Sequence, residues 1–348
     1  TLPSSMRIVR AFIRLFSGLL LSMSLASPAL ASSKHCGDEG VWVEILGAGS
    51  GELNDGQASP SYLIWHNDVA RILVDAGAGS QVAFEKSGAS FETIEAIALT
   101  QLRPDHSGDL PAYLGAAQSD SREMRLSIIG PSGDSATNPS TRELMQRLFG
   151  ADGVYPYLAN AIKPRTSLGY RIRSVDVPAT GSKRWARYQT EHVKLSAIPV
   201  HHGDIPALAW RIEIGDQSVV IAGAFNNSKN LVANFAKDTD ALVVSHAIPE
   251  NSRGKLLELY AKPSQLGRVA AQANARMMIL GHRSTRTRGR ESISRNAMED
   301  NYTRAVSSLP MTANAGGCEF SSPMPLLQTL VAVSAQVIYR QPRHGVYT

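Results

Sequence analysis

The pattern of apolar runs along this 348-residue chain predicts an α/β fold of four layers, two sheets packed face to face with helices outside. Three observations carry that prediction. Short runs rich in β-branched residues recur with turn residues between them, as strands do. The runs come first in hairpin-like clusters and then alternate with segments of helical period. That succession occurs twice, whereas a single doubly wound sheet would alternate regularly from its start.

The first set of strands is expected at 41–46, 61–65, 71–74, 94–99 and 126–129, and the second at 193–200, 207–214, 218–221, 241–244 and 277–280. Helical spacing of apolar residues marks 108–117, 141–149, 228–235, 264–275 and 293–307, with Pro263-Ser264 a suitable start for the fourth. The stretch 150–190, with Pro, Gly and scattered charges, reads as an insertion or loop excursion near the mouth of a site. No repeat, low-complexity tract or linker divides the chain.

Residues 1–31 stand apart. Met6 opens a segment with Arg7, Arg10 and Arg14, an apolar run over 15–25, and Ala29-Leu30-Ala31 before Ser32. This is the pattern of a secretory signal peptide, with the five residues before Met6 a start-site artefact. The apolar run is short for a membrane span and no second one follows, so cleavage after Ala31 and a periplasmic or secreted product are expected, with no stable membrane anchor. Cys36 lacks the small residues before it that lipidation would need. Residues 32–348 then form a single domain of 317 residues, long enough for a well-buried core. The segment's three arginines account for three of the five formal positive charges, so the basic balance gives no reason to expect nucleic acid. Cys36 and Cys318 would be the only cysteines left; in an oxidising compartment they either pair or stay as two buried thiols.

The richest stretch is Leu99-Thr100-Gln101-Leu102-Arg103-Pro104-Asp105-His106-Ser107-Gly108, in which a buried strand runs into a polar turn and a short amphipathic helix. It resembles the His-x-His-x-Asp-His turn of the metallo-β-lactamase superfamily, with Gln101 and Arg103 where the first two His belong. Four further segments resemble that superfamily in the same order: Gly47-Ala48-Gly49-Ser50-Gly51, Asp75-Ala76-Gly77, His201-His202-Gly203 running on to Gly223-Ala224, and Gly281-His282 behind a helix. Together they cover 41–284 and look most like the ribonuclease Z and arylsulfatase-like branch. The resemblance implies a four-layer αββα sandwich of the metallo-β-lactamase type.

Carried over residue by residue, the resemblance gives a divided site. The first metal position would have Gln101, Arg103 and His202, and a guanidinium does not ligate metal. The second keeps Asp105, His106 and His282, with Ala224 in place of the bridging Asp. Two imidazoles and a carboxylate suffice for one open zinc site, so the expected metal ligands are Asp105, His106, His282 and, nearby, His202. Asp105, His106 and Arg103 are the candidate catalytic groups; Gln101, Arg103 and His201 are the candidates for binding substrate, with Arg103 a potential anchor for an oxyanion or phosphate. Arg283, Arg286, Arg288 and Arg290 crowd a loop that would lie at the site mouth; it reads as a solvated, mobile surface rather than as a funnel that favours an anion. His246 reads as a satisfied histidine at a strand end, and Asp75 as a residue that orients the turn.

Two functions follow. One is a secreted hydrolase of ester, lactone or phosphoester type with at most one metal ion, acting on a small and possibly anionic substrate. The other is a catalytically inactive protein of the same fold that binds a small anion or acts as a regulatory module.

Overall fold

The computed structural model describes residues 40–308 apart from 119–121, 123, 136 and 164–170. The expected signal segment, Cys36 and Cys318 lie outside the described residues. Among the described residues no helix is long and apolar enough to cross a membrane.

Two sheets form the centre. The first has six strands in chain order, β1 (Val41–Gly47), β2 (Ser61–His66), β3 (Val69–Val74), β4 (Ala96–Ala98), β5 (Leu126–Pro131) and β6 (Ile172–Val177). The second has seven, β7 (Trp185–Gln189), β8 (Lys194–Val200), β9 (Ala207–Ile214), β10 (Gln217–Ile221), β11 (Ala241–Ser245), β12 (Met277–Gly281) and β13 (Ala305–Ser308). Each sheet begins with antiparallel hairpins and turns parallel, at β3–β4 in one and β10–β11 in the other. Parallel neighbours need crossovers, and these carry the helices α1 (Ser80–Ser87), α2 (Pro104–Ser107), α3 (Leu110–Ala117), α4 (Thr141–Phe149), α5 (Leu231–Phe235), α6 (Leu256–Leu259), α7 (Pro263–Gln272) and α8 (Glu291–Glu299).

The four layers follow from side chains alternating across each strand. In β1, Val41, Val43 and Ile45 face the second sheet and meet Trp210, Ile212, Val219 and Ile221, while Trp42 and Leu46 face the helices. Phe84 of α1, Leu110 and Leu114 of α3, and Met145 and Phe149 of α4 cover the outer face of the first sheet. Val232 and Phe235 of α5, Leu266 and Val269 of α7, and Met298 of α8 cover the second. Strands buried on both faces read as continuous apolar runs, which is why these were visible in the sequence.

Three expectations change. The stretch 150–190 is not a loop excursion throughout: it supplies β6 and β7, an edge strand of each sheet, whose Arg, Asp and Gln residues break the apolar signal. The helix expected over 293–307 ends at Glu299, and Ala305–Ser308 pairs with β12 as a parallel strand. Helices α1 and α6 were not anticipated; α6 buries none of its residues.

The site-bearing turn after β4 is held by both sheets. Trp210 Nε1 donates to the Leu99 carbonyl at 2.9 Å and Leu208 N to the Thr100 carbonyl at 2.8 Å, both from the second sheet. On the opposite wall, a Cβ at Gly281 would overlap the hydroxyl and ring of Tyr62. Gly281→Ala should therefore destabilise the fold by about 1–3 kcal/mol, the usual cost of overpacking. Tyr62→Phe removes the nearest clashing atom, so the double variant should recover part of that loss in denaturant titrations, and strict additivity would show that the overlap is not what Gly281 relieves.

Candidate metal centre

The turn leaves β4 extended, and Pro104 opens α2 at its first position, where a missing N–H costs nothing. Asp105 and His106 thus sit in a fixed helical turn, with His106 N and Ser107 N both donating to the Arg103 carbonyl. The His106 carbonyl accepts from Ala76 N at 2.8 Å, which brings the turn against Asp75-Ala76-Gly77. A Cβ at Gly77 would strike the carbonyl oxygens of Asp105 and Pro60, so only glycine allows that approach.

Asp75 orients the turn. Its Oδ1 accepts from Thr100 N at 2.7 Å, and its Oδ2 lies 2.7 Å from Thr100 Oγ1 and 2.8 Å from His106 Nδ1. A carboxylate oxygen at that distance fixes the His106 proton on Nδ1 and turns the Nε2 lone pair the other way. That Nε2 is buried and has no partner; the same holds for both ring nitrogens of His282. The two rings stack at 5.2 Å. Asp105 Oδ2 lies 3.5 Å from Nε2 of His106 and 3.5 Å from Nε2 of His282, too far for good hydrogen bonds.

Ligand atoms of Asp105, His106 and His282 all lie within 4.8 Å of one another. Burial works against the Asp105 carboxylate, but the rings of His282 and His106 beside it outweigh burial and hold its pKa below the usual range. Burial likewise opposes the charged form of His106, and the Asp75 carboxylate overcomes it and raises that pKa. An ionised carboxylate between two buried, unpartnered imidazole nitrogens fits a divalent ion of zinc type, with ligand positions to spare for water.

His202 stands slightly apart. It is not one of the three mutually close residues. Its Nδ1 donates to the Leu259 carbonyl at 2.7 Å, so in the neutral ring the lone pair is on Nε2. Burial, and then the charges of His282, His106 and Arg103, push its pKa down to about 4, the Leu259 bond notwithstanding. Its ring meets that of Tyr260 at 5.2 Å, and Tyr260 meets His282 at 5.9 Å.

The remaining candidates fall in different places. Gln101 is buried with its Oε1 unpartnered, and Ala224 is buried where the resemblance has an Asp. Arg103 is exposed rather than filling the pocket, yet its charge acts on both His202 and Tyr260. His201 is exposed and lines a separate cleft of about 260 Å³ with Asp134, Thr180 and Lys229, so it does not face the triad. Adjacent residues of an extended segment point opposite ways, and His202 takes the inward one. Tyr260 was not singled out in the sequence, because a tyrosine between two helices carries no ligand pattern.

Three of the four loop arginines are engaged within the fold. Arg283 pairs with Glu291 at 2.6 Å, Arg286 with Glu52, and Arg288 bonds the Asp55 carbonyl. Thr285 N also donates to Glu52, at 2.8 Å. These bonds clasp the glycine loop, whose Gly51 abuts the Asp105 side chain. His246 is buried with both ring nitrogens unpartnered, unlike the satisfied histidine expected, and burial lowers its pKa to about 4.

No family model matches the chain. In sequence it is 26% identical over 262 residues to ribonuclease Z of Mycobacterium sp. strain KMS, covering 70% of this chain and 84% of that one. Its structure is similar to the metallo-β-lactamase fold protein YhfI of Bacillus subtilis, with a TM-score of 0.58 at 17% identity over 77% of this chain and 95% of that one. The human short-form tRNase Z gives a TM-score of 0.58 at 18% identity, over 71% of this chain and 94% of that one. The chain has the metallo-β-lactamase fold. Relatives similar to it in sequence and in fold are named ribonuclease Z and tRNase Z. The expectation that nucleic acid is no partner draws no support from these relatives, which are named as ribonucleases.

Asp75→Asn keeps the size of the side chain but gives up the charge that fixes the His106 tautomer. Zinc affinity, measured by competition with a chromophoric chelator, should fall about 10- to 100-fold, as it does when such orienting groups are removed elsewhere. Unchanged affinity would mean that His106 is not a ligand.

Proposed function

We propose that this chain is an exported hydrolase of small phosphoesters that works with one divalent ion held by Asp105, His106 and His282. The observation that carries the reading is the pair of buried, unpartnered Nε2 atoms of His106 and His282 flanking the ionised Asp105, with the other nitrogen of His106 committed to Asp75. Export rests on residues 6–31 alone. The phosphoester class is supported by the ribonuclease relatives, whose names imply phosphodiester cleavage, and by the exposed Arg103 beside the site.

A divalent ion bound there would polarise a phosphoryl oxygen and lower the pKa of water. The chain supplies the rest. Asp105 stays ionised and balances the added charge. Asp75 keeps His106 aimed. His202, neutral and held by Leu259, offers an Nε2 lone pair that can take a proton from attacking water. Arg103 at the rim meets non-bridging phosphate oxygens in a bidentate fashion, which provides part of the positive charge that a second ion would give. Gln101 and Ala224 leave the first metal position without its His and bridging carboxylate, so two-ion chemistry is not part of the proposal.

Protein purified without added metal should carry about one zinc, manganese or iron per chain and hydrolyse a chromogenic phosphodiester; His106→Ala should abolish both. Metal-free, inactive protein would leave the anion-binding reading in its place. Cleavage of RNA in strong preference to the small diester would overturn the substrate size. Arg103→Ala should raise KM for the diester roughly 10-fold, as loss of one charge-assisted contact does, with little effect on metal content; an unchanged KM would remove Arg103 from the substrate site.

A further inference from the structure

Tyr260 is held in the site by contacts that catalysis by the triad does not require. The segment 258–261, at the end of α6, is sewn to the His202 strand end and to the segment after β10. The Glu258 carbonyl accepts from Gly203 N at 3.0 Å and from Asn226 Nδ2 at 2.6 Å, the Leu259 carbonyl takes His202 Nδ1 at 2.7 Å, and Ala261 N donates to the Phe225 carbonyl at 2.7 Å. This fixes the ring of Tyr260 between two histidines, edge-on to His202 at 65° and tilted against His282 at 33°.

The ring is half-buried, and its hydroxyl makes no hydrogen bond among the described residues. A phenol placed for packing alone would be as well served by phenylalanine, and this hydroxyl is not among the buried unpartnered atoms, so it is open on the side from which a ligand oxygen could come. The charges that reach Tyr260 are those of Asp105, Arg286, Arg103 and Glu52, so it lies in the field of both the triad and the rim guanidinium. Burial, followed by Asp105, keeps the phenol protonated well beyond neutral pH, and an O–H is a donor.

We propose that Tyr260 is a substrate-contacting residue, whose phenol O–H donates a hydrogen bond to an oxygen of a phosphate-type anion held between the Asp105–His106–His282 triad and Arg103. The inference rests on the reading of this site as a phosphoester site. In that arrangement Tyr260 and Arg103 are two donors on the side of the site where Gln101 and Arg103 stand in place of metal-ligating histidines. The donation needs no change of protonation at Tyr260.

Binding of inorganic phosphate to the full chain tests it, by titration calorimetry of zinc-loaded and chelator-treated protein. Tyr260→Phe keeps the ring against His202 and His282, so zinc stoichiometry and affinity should match the parent while phosphate affinity falls about 5- to 10-fold, the loss expected for one hydrogen bond to an anion. Arg103→Ala should weaken phosphate binding independently. Parent-like phosphate affinity in Tyr260→Phe alongside a clear loss in Arg103→Ala would reduce Tyr260 to packing and overturn the proposal. If no zinc binds but phosphate does, and Tyr260→Phe weakens it, this inference stands and the one-metal reading fails. A parent chain that binds phosphate in neither form overturns both.

Discussion

The site depends on one buried carboxylate. Asp75 adopts a left-handed backbone conformation, φ 60°, which a non-glycine residue rarely takes without compensation. The compensation is complete: its N–H donates to the Ala98 carbonyl, its carbonyl accepts from Ser61 Oγ, and its two oxygens take Thr100 N, Thr100 Oγ1 and His106 Nδ1. Thr100 Oγ1 and His106 Nδ1 lie 3.0 Å apart, but both protons are directed to the carboxylate, so neither serves the other. A charge with no solvent exposure is tolerable only when hydrogen-bonded in this way. The same bonds that satisfy Asp75 set the tautomer of His106 and hold the turn after β4.

From that point the site divides. On one side, His106 and His282 present buried nitrogens with nothing to bond, an expensive state unless an ion relieves it. On the other, an amide at Gln101, a guanidinium at Arg103 and a phenol at Tyr260 are polar but not ligand-like, and His202, tied through Nδ1, keeps its Nε2 free. A site in simple decay would be expected to fill with small apolar residues, and only Ala224 does so. His282 shares the constraint seen at Asp75, with φ 43° at the end of β12 and its backbone N–H on the Tyr62 hydroxyl. Two of the chain's left-handed residues thus flank one cluster.

The sequence made the strands buried on both faces legible, because they are apolar at every position, and it made the order of motifs legible because each carries a glycine or histidine with a distinct job. Gly77 and Gly281 illustrate this: each is the one residue that permits a close approach, to the Asp105 carbonyl and to Tyr62. What stayed hidden was set by distant partners. Edge strands β6 and β7 need only one apolar face, so their pattern resembles loop. The arginines after His282 read as a solvated surface because Glu52 and Asp55, which occupy two of them, lie more than 230 residues earlier. Tyr260 is placed by carbonyl bonds from its neighbours rather than by any side-chain pattern.

That redistribution of charge bears on substrate size. Tight binding to a long polyanion draws on several free cations along a groove, each releasing a counterion. Around this mouth Arg283 and Arg286 are paired with carboxylates and Arg288 bonds a carbonyl, while the field of the exposed Arg103 reaches both the inner histidine and the tyrosine. On the proposed reading, the Arg103 guanidinium and the Tyr260 phenol would match the oxygens of a single phosphate. Attraction should then be short-ranged and specific rather than a broad field, so ionic strength should alter KM for a small diester only modestly.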